Sequence, residues 1–165
     1  MGQLHNRLKW DTASGQILDG DRRYLMMRAD VLMGLFATLP AVERQRALES
    51  LRASVRHHGG ASARAYQAGG TGDTDTFLQV MVESAADLGW GVWHFDRSPA
   101  TGLTLTVRNS PFASGTEPGD APVCHAIAGM LEAVTALVLG SATNVRETQC
   151  AGMGATHCVF QARHD

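Results

Sequence analysis

The stretch ETQCAGMGATHCVF, residues 147–160, carries two of the three cysteines of the chain, Cys150 and Cys158, on either side of a glycine-containing turn. The flanking segments, residues 144–150 and 157–163, have the apolar and β-branched composition of short strands. Glycine in the turn lets the backbone fold tightly without steric cost. We therefore predict a C-terminal β-hairpin that brings the two thiols close together.

Two further residues could complete a metal site with these thiols. Cys124 falls in the first turn of a long apolar helix predicted over residues 121–139, where the helix dipole favours a thiolate. Glu147 lies three residues before Cys150, and three thiolates with one carboxylate suit a tetrahedral zinc ion. Because side chains alternate along a strand, Glu147 and Cys150 reach one metal only through a β-bulge, or if the strand ends near Gln149.

Two alternatives fit the same spacing. His157, beside Cys158, could replace Glu147 as the fourth ligand. The three cysteines could instead be free thiols that pack as small apolar side chains. An odd number of cysteines, behind an N-terminus with no apolar signal segment, favours reduced thiols or metal ligands over disulfides, which predicts a cytoplasmic location.

The rest of the chain mixes strand-like and helix-like segments, which predicts an α+β fold with an antiparallel sheet packed on helices. Two strands over residues 90–95 and 103–107 should form an antiparallel hairpin. Gly59-Gly60 should break or kink a long helix, leaving residues 61–67 as a separate turn or helix. The other expected elements are strands over 7–10, 16–18 and 24–28, and helices over 31–39, from 40 to about 57, and from 74 or 76 to 88.

Composition excludes two classes of partner. Hydrophobic residues make up 44% of the chain and the net charge is −2, with the basic residues scattered rather than clustered. We therefore expect no direct binding to nucleic acid. The apolar runs are far shorter than a membrane-spanning helix, so no membrane span is expected.

A second candidate site is an aromatic cluster in a chain otherwise poor in aromatic residues. Trp93, His94 and Phe95 follow one another on a predicted strand, and Ile127 and Met130 lie on the apolar helix. Together they could line an apolar ligand pocket with His94 as its polar group. Trp93 and Phe95 share one face of the strand, since side chains alternate. The alternative is a packed core with a satisfied histidine.

The tail ETQCAGMGATHCVF resembles the end of the 4-vinyl reductase domain family, whose pattern is Glu-x-x-Cys, a glycine-containing turn, and Cys-x-Phe. Cys124 stands where that family often has a cysteine on the preceding long helix. The resemblance implies the fold shared by nitric-oxide sensor domains and vesicle-tethering small subunits, and a zinc ion held by Cys124, Glu147, Cys150 and Cys158. It places the domain at residues 23–165, with residues 1–22 as an N-terminal extension.

The resemblance also implies a bacterial source and a function. We expect a sensor or carrier domain that binds a small hydrophobic or aromatic ligand, with structural zinc, as a homodimer that acts alone or through a partner. No catalytic residue is predicted, because four protein ligands leave no open position on zinc. One alternative is an enzyme or accessory protein of tetrapyrrole metabolism, although the sequence has no GxGxxG dinucleotide fingerprint. The other is a dimerising adaptor protein.

Overall fold

The computed structural model describes residues 4–69, 72–98, 102–141 and 143–164. These ranges contain six helices and seven strands. The helices are α1 (Leu4–Arg7), α2 (Ala29–Ala37), α3 (Ala41–Ala68), α4 (Thr74–Asp87), α5 (Pro111–Ser114) and α6 (His125–Leu139). The strands are β1 (Lys9–Asp11), β2 (Gln16–Asp19), β3 (Arg22–Tyr24), β4 (Val92–Ser98), β5 (Gly102–Arg108), β6 (Thr143–Gln149) and β7 (Cys158–His164).

The strands form two antiparallel sheets. A small sheet has the order β1-β2-β3, and the main sheet has the order β4-β5-β7-β6. Helix α6 contacts both α3 and the β6–β7 hairpin, while α4 contacts β4. The predicted α+β fold, with antiparallel sheets packed on helices, is therefore confirmed.

Period-two alternation determines which face of the main sheet is buried. Leu103, Leu105 and Val107 of β5 are at most 1% exposed, and Leu105 pairs with Phe160 of β7, which is fully buried. The intervening residues of β5 are only half-buried. One face of the sheet thus packs on the helices, as the alternating pattern predicts, and the predicted β4–β5 hairpin is confirmed.

Helix α3 contradicts the prediction of a break at Gly59-Gly60. It runs unbroken from Ala41 to Ala68, because the two glycines serve packing rather than chain reversal. A Cβ on Gly59 would lie 2.5 Å from the Met130 methyl group, and one on Gly60 would lie 3.0 Å from the Cβ of Ala133, both on α6. The glycines therefore let two helices approach closely, which outweighs their low helix propensity.

The same crossing places Gly129 of α6 against α3, where an added Cβ would lie 2.2 Å from the carbonyl oxygen of Arg52. Helix α6 also begins later than predicted. Its first residue is His125 rather than Ala121, and Cys124 is the N-cap residue, with extended residues before it. Gly140, with a φ of 71°, ends the helix in the left-handed conformation, as its position predicts.

The N-terminal strands are also shifted from their predicted positions. Residues 4–7 form α1 and the first strand begins at Lys9, while the third strand covers Arg22–Tyr24 instead of residues 24–28. The boundary between an extension (1–22) and a domain (23–165) stays a prediction. The centre of the predicted loop at residues 70–71 and the tip of the β4–β5 hairpin lie outside the described residues. None of the described helices has the length and apolar character needed to cross a membrane.

Candidate metal centre

The four predicted metal ligands converge at one corner of the main sheet. The sulfur atoms of Cys124, Cys150 and Cys158 and a carboxylate oxygen of Glu147 all lie within 4.8 Å of one another. The three thiols are at most 2% exposed and none is in a disulfide. The four side chains are therefore close enough to bind one metal ion.

A β-bulge resolves the conflict between Glu147 and Cys150. Glu147 pairs with Phe160, and the next registered pair is Gln149 with Val159, so Thr148 is an extra residue on β6. The bulge occupies two residues where a regular strand has one, which returns Cys150 to the side of the sheet that Glu147 faces. The strand also ends at Gln149, so both predicted conditions are met.

The turn after β6 holds the two hairpin cysteines at the right separation. A single 3₁₀ turn covers Ala151–Met153, and Gly154 follows it with a φ of 89°, a conformation that favours glycine. Gly152 leaves room for the site, since a Cβ there would lie 3.5 Å from the Cys150 sulfur. The glycine-containing turn of the sequence is thus what places the two thiols beside each other.

Backbone N–H groups point at the cluster. The amide of Cys124 donates to Oε2 of Glu147 over 3.2 Å, and the amide of Ala151 donates to the Cys158 sulfur over 3.3 Å. The hydroxyl of Ser110, itself buried, lies 3.2 Å from the Cys124 sulfur. Such contacts orient ligands and stabilise negative charge on them.

The ionisation of the cluster shows that it lacks positive charge. Hydrogen bonds from Cys124 and Cys158 hold the pKa of Cys150 far below its usual range, and the same contacts raise the pKa of Cys124. At Cys158 the bond with Cys124 favours the thiolate, but Cys150 and burial outweigh it and raise the pKa to about 12. Burial, reinforced by Cys150, raises the pKa of Glu147 to about 8. A divalent cation would let all four groups ionise.

A further observation favours a cation here. Among the described side chains, two buried polar atoms have no hydrogen-bond partner, and one of them is Oε1 of Glu147. Buried polar atoms without a partner are uncommon and call for a missing group. Three soft sulfur donors with one carboxylate suit zinc better than calcium or magnesium, so the residues fit the ion that the sequence predicts.

His157 does not belong to the cluster. It is half-buried, it precedes β7, and its Nδ1 lies 2.8 Å from the hydroxyl of Thr156 at the surface. The group of potential ligands contains Glu147 instead. The geometry therefore favours Glu147 over His157 as the fourth ligand.

The structure divides the predicted aromatic pocket between two faces of β4. Trp93 is 3% exposed and pairs with Val107 on the buried face, where its ring lies 6.0 Å from that of Phe95. His94 pairs with Thr106, points to the other face and is exposed. The Trp93 indole N–H donates to the carbonyl oxygen of Trp90. As a ligand pocket, this set of residues stays a prediction.

The two helical members of that set are buried in the same core. Ile127 is fully buried and Met130 is 9% exposed. The Met130 methyl group lies against Gly59 of α3, whereas the contacts of Trp93 are with Trp90 and Phe95. The structure thus places all the apolar members in the core and leaves His94 outside it.

Sequence reasoning missed a charged contact between α3, α6 and β6. Arg52 donates to Oε1 of Glu132 over 2.6 Å and to the carbonyl oxygen of Val145 over 2.7 Å. His125, which follows Cys124, is 9% exposed, and its Nδ1 is the second buried atom without a hydrogen-bond partner. Burial lowers the pKa of His125, although nearby Glu49 acts in the opposite direction. These residues are far apart in sequence, so no local pattern could have indicated their contact.

Comparison with known proteins supports the family resemblance. Residues 103–164 match the family model of the 4-vinyl reductase domain, so the resemblance is confirmed over that part of the chain. Among curated proteins, none matches the sequence significantly.

Solved structures share the fold at low sequence identity. The phenol-responsive sensory domain of the transcription activator PoxR, solved with phenol, has a TM-score of 0.79 and 20% identity over 96% of this chain and 85% of that chain. A vinyl-4-reductase family protein from Methanocaldococcus jannaschii has a TM-score of 0.55 and 15% identity, covering 87% of this chain and 83% of that one.

Two further structures confirm the predicted fold relationships. A trafficking protein particle complex subunit 3 from Naegleria fowleri, covalently bound to palmitic acid, has a TM-score of 0.58 and 12% identity over 82% of this chain and 93% of that chain. An H-NOX protein from S. oneidensis in the Fe(II)NO state has a TM-score of 0.53 and 14% identity over 87% and 81%. The fold is thus shared with vesicle-trafficking and nitric-oxide-binding proteins.

Proposed function

We propose, from the family match over residues 103–164, that this protein is a sensor or carrier domain that binds a small hydrophobic or aromatic ligand and contains one structural zinc ion. The observation that carries the proposal is the convergence of four ligand atoms within 4.8 Å inside the matched region or just beside it in space. The fold of a phenol-responsive sensory domain covers 96% of the chain, which supports the choice of ligand class.

Zinc would be held by Cys124, Glu147, Cys150 and Cys158. Four protein ligands close the coordination shell, so the ion would stabilise structure rather than activate water. Its ligands come from the N-cap of α6, the end of β6 and the start of β7. The ion would therefore tie the last hairpin to the central helix.

The apolar ligand-lining residues remain those of the predicted pocket that lie in the core, Trp93, Phe95, Ile127 and Met130. All four belong to the main hydrophobic core or pack against it. An apolar ligand among them would need the core to open by rearrangement of side chains. Met130 and Trp93, with several rotatable bonds or a large ring each, are the side chains whose movement would make most room.

We also propose a homodimer in the cytoplasm, which the reduced thiols and a large exposed apolar surface support. Leu25, Met26 and Met27 precede α2 and are 50–78% exposed, and Val31 and Leu35 on α2 are 57% and 60% exposed. Val31 and Leu35 are four residues apart and share a face of the helix. Contiguous apolar surface of this kind marks a protein interface, so a dimerising adaptor is the second candidate function.

The zinc and ligand proposals are tested separately on purified protein. Elemental analysis of protein prepared without chelator should find about one zinc per chain, as a closed four-ligand site requires. A zinc content near zero would contradict the metal proposal. Toluene and phenol should raise the melting temperature and quench tryptophan emission, since a ligand that binds the native state stabilises it by mass action.

The control for the ligand test is a tryptophan far from the core. Trp93→Ala should weaken the quenching by toluene more than Trp10→Ala, because Trp10 is 57% exposed on β1. If a wider screen of small hydrophobic compounds produces no shift in melting temperature, ligand binding is contradicted and the adaptor function is preferred. Analytical ultracentrifugation of wild type and Leu35→Lys then tests the dimer.

A further inference from the structure

An open cleft lies between α3, the start of α6 and the free edge of β6. Its volume is about 370 Å³, and its walls include Gln45, Arg52, His125, Ala128, Val145 and Glu147. We name it the α3–β6 cleft. A second groove of about 690 Å³ adjoins it along α3 and shares Arg52. The volume of the cleft is within the range of small-molecule sites.

One wall of this cleft has an unsatisfied polar group. His125 is 9% exposed, and its Nδ1 has no hydrogen-bond partner in the described part of the chain. The nearest carboxylate oxygen, Oε1 of Glu49, lies 3.3 Å away without the alignment of a hydrogen bond. Glu147 Oε1, the other such atom, is a candidate metal ligand, so His125 is the one left without an explanation.

The carboxylate of Glu49 covers the imidazole but is not held there. Its side chain is 49% exposed, against 10% for the imidazole beneath it. A half-exposed glutamate changes rotamer at little cost. When Glu49 moves towards solvent, Nδ1 of His125 becomes accessible from the adjoining groove.

The charges around the cleft are already balanced within the protein. Arg52 is bound to Glu132 and to the Val145 carbonyl, and Oε2 of Glu147 accepts from the Cys124 amide. A metal with three thiolates and a carboxylate would add net negative charge beside the cleft. An anionic ligand would therefore be repelled, and a neutral ligand is favoured.

We infer that His125 is the polar recognition group of the ligand site, that Glu49 is its cover, and that the ligand is a small neutral molecule with a hydroxyl group, of about the size of phenol. This inference rests on the proposed ligand-binding function and names its site and ligand class. A hydroxyl group both donates and accepts, so it pairs with Nδ1 in either tautomer of the neutral imidazole. Ala128 and Val145 supply apolar contacts for the rest of the ligand.

The test uses phenol and toluene on the full chain with its metal. In protein labelled with ¹⁵N-histidine, phenol should shift the ring signals of His125 and leave those of exposed His94 in place. Toluene, which has no hydroxyl group, should bind at least about tenfold more weakly, the equivalent of one lost hydrogen bond. This measurement needs no variant and so does not depend on the folding of a mutant.

Two pairs of variants add a test in opposite directions. His125→Phe should weaken phenol binding about tenfold, while His94→Phe should leave the Kd unchanged. Glu49→Ala should tighten phenol binding severalfold because it uncovers Nδ1. Glu43→Ala, an exposed glutamate on the same helix, removes the same charge and should have no effect.

Three results would overturn the inference. Phenol and toluene binding equally well, with tryptophan emission quenched and His125 signals unmoved, would leave the proposed function standing but place its ligand elsewhere. An unchanged Kd in Glu49→Ala would remove Glu49 as the cover of the site. Absence of binding by either compound would count against the inference and the proposed ligand class together, and would leave water as the partner of Nδ1.

Discussion

The thiol corner and the aromatic cluster on β4 began as equivalent predictions, each a handful of chemically suitable residues close to one another. At the thiol corner, α6, β6 and β7 bring Cys124, Glu147 and both hairpin cysteines within 4.8 Å. On β4, the pleat separates the polar member of the set from the apolar ones, leaving His94 exposed and Trp93 buried.

The difference follows from what each kind of side chain needs when it is buried. A buried carboxylate beside three buried thiols is unfavourable without a cation, so such a set is strong evidence for a shared partner. Tryptophan and phenylalanine are stable in a core with no ligand at all. Polar groups gathered in a core are therefore more informative about function than apolar groups gathered there.

The largest effect is expected at the thiol corner. Cys158→Ser should remove most of the bound zinc and lower the free energy of unfolding on the order of 5 kcal/mol, because metal binding is coupled to folding. Urea denaturation and elemental analysis measure the two effects. His157→Ser, at the neighbouring position, should keep both zinc and stability. A Cys158→Ser protein as stable as wild type would show that the corner does not need a metal.

The aromatic cluster should respond as a core. Trp93→Ala should lower the free energy of unfolding by about 3–5 kcal/mol, since it leaves a cavity and removes the hydrogen bond to the Trp90 carbonyl. Trp10→Ala should lower it by less than about 0.5 kcal/mol because Trp10 is a surface residue. Urea denaturation of both variants distinguishes a packed core from a loosely filled pocket, for which Trp93→Ala would cost far less.

Helix α6 belongs to both regions, so its contact with α3 affects each of them. Gly129→Ala should destabilise the protein by about 2 kcal/mol, because the new methyl group would meet the Arg52 carbonyl. The matched control is Gly34→Ala on α2, where an added Cβ has no atom within 4 Å. That control should be neutral or stabilise by about 0.5 kcal/mol. Equal melting temperatures for the two variants would contradict this account of the helix crossing.

The smallest effect is expected for the two histidines that lie outside their predicted sites. His94→Ala and His157→Ala should each change the free energy of unfolding by less than about 0.5 kcal/mol, as for most surface substitutions. Zinc content should also stay the same in both. Loss of zinc from His157→Ala would restore His157 as a ligand and would exclude Glu147 from that role.

Short-range patterns predicted much of the fold because their physical causes are local. Alternation in Leu103, Leu105 and Val107 predicted a strand with one buried face, and Gly140 predicted the end of α6. The same reasoning was wrong at Gly59-Gly60. A glycine pair has the same local preference whether the chain turns there or another helix packs against it, and only the position of α6 distinguishes the two.

The amino-acid sequence by itself determined the candidate metal ligands, because soft thiolates, a nearby carboxylate and a glycine turn limit the chemistry and the local geometry. The tertiary structure alone decided that a bulge at Thr148 brings Glu147 to the thiols, that His94 lies outside the core, and that Glu49 covers His125. Each of these depends on contacts between elements distant in the chain. Such contacts are set by the packing of α3, α6 and β6, which the preferences of single segments do not contain.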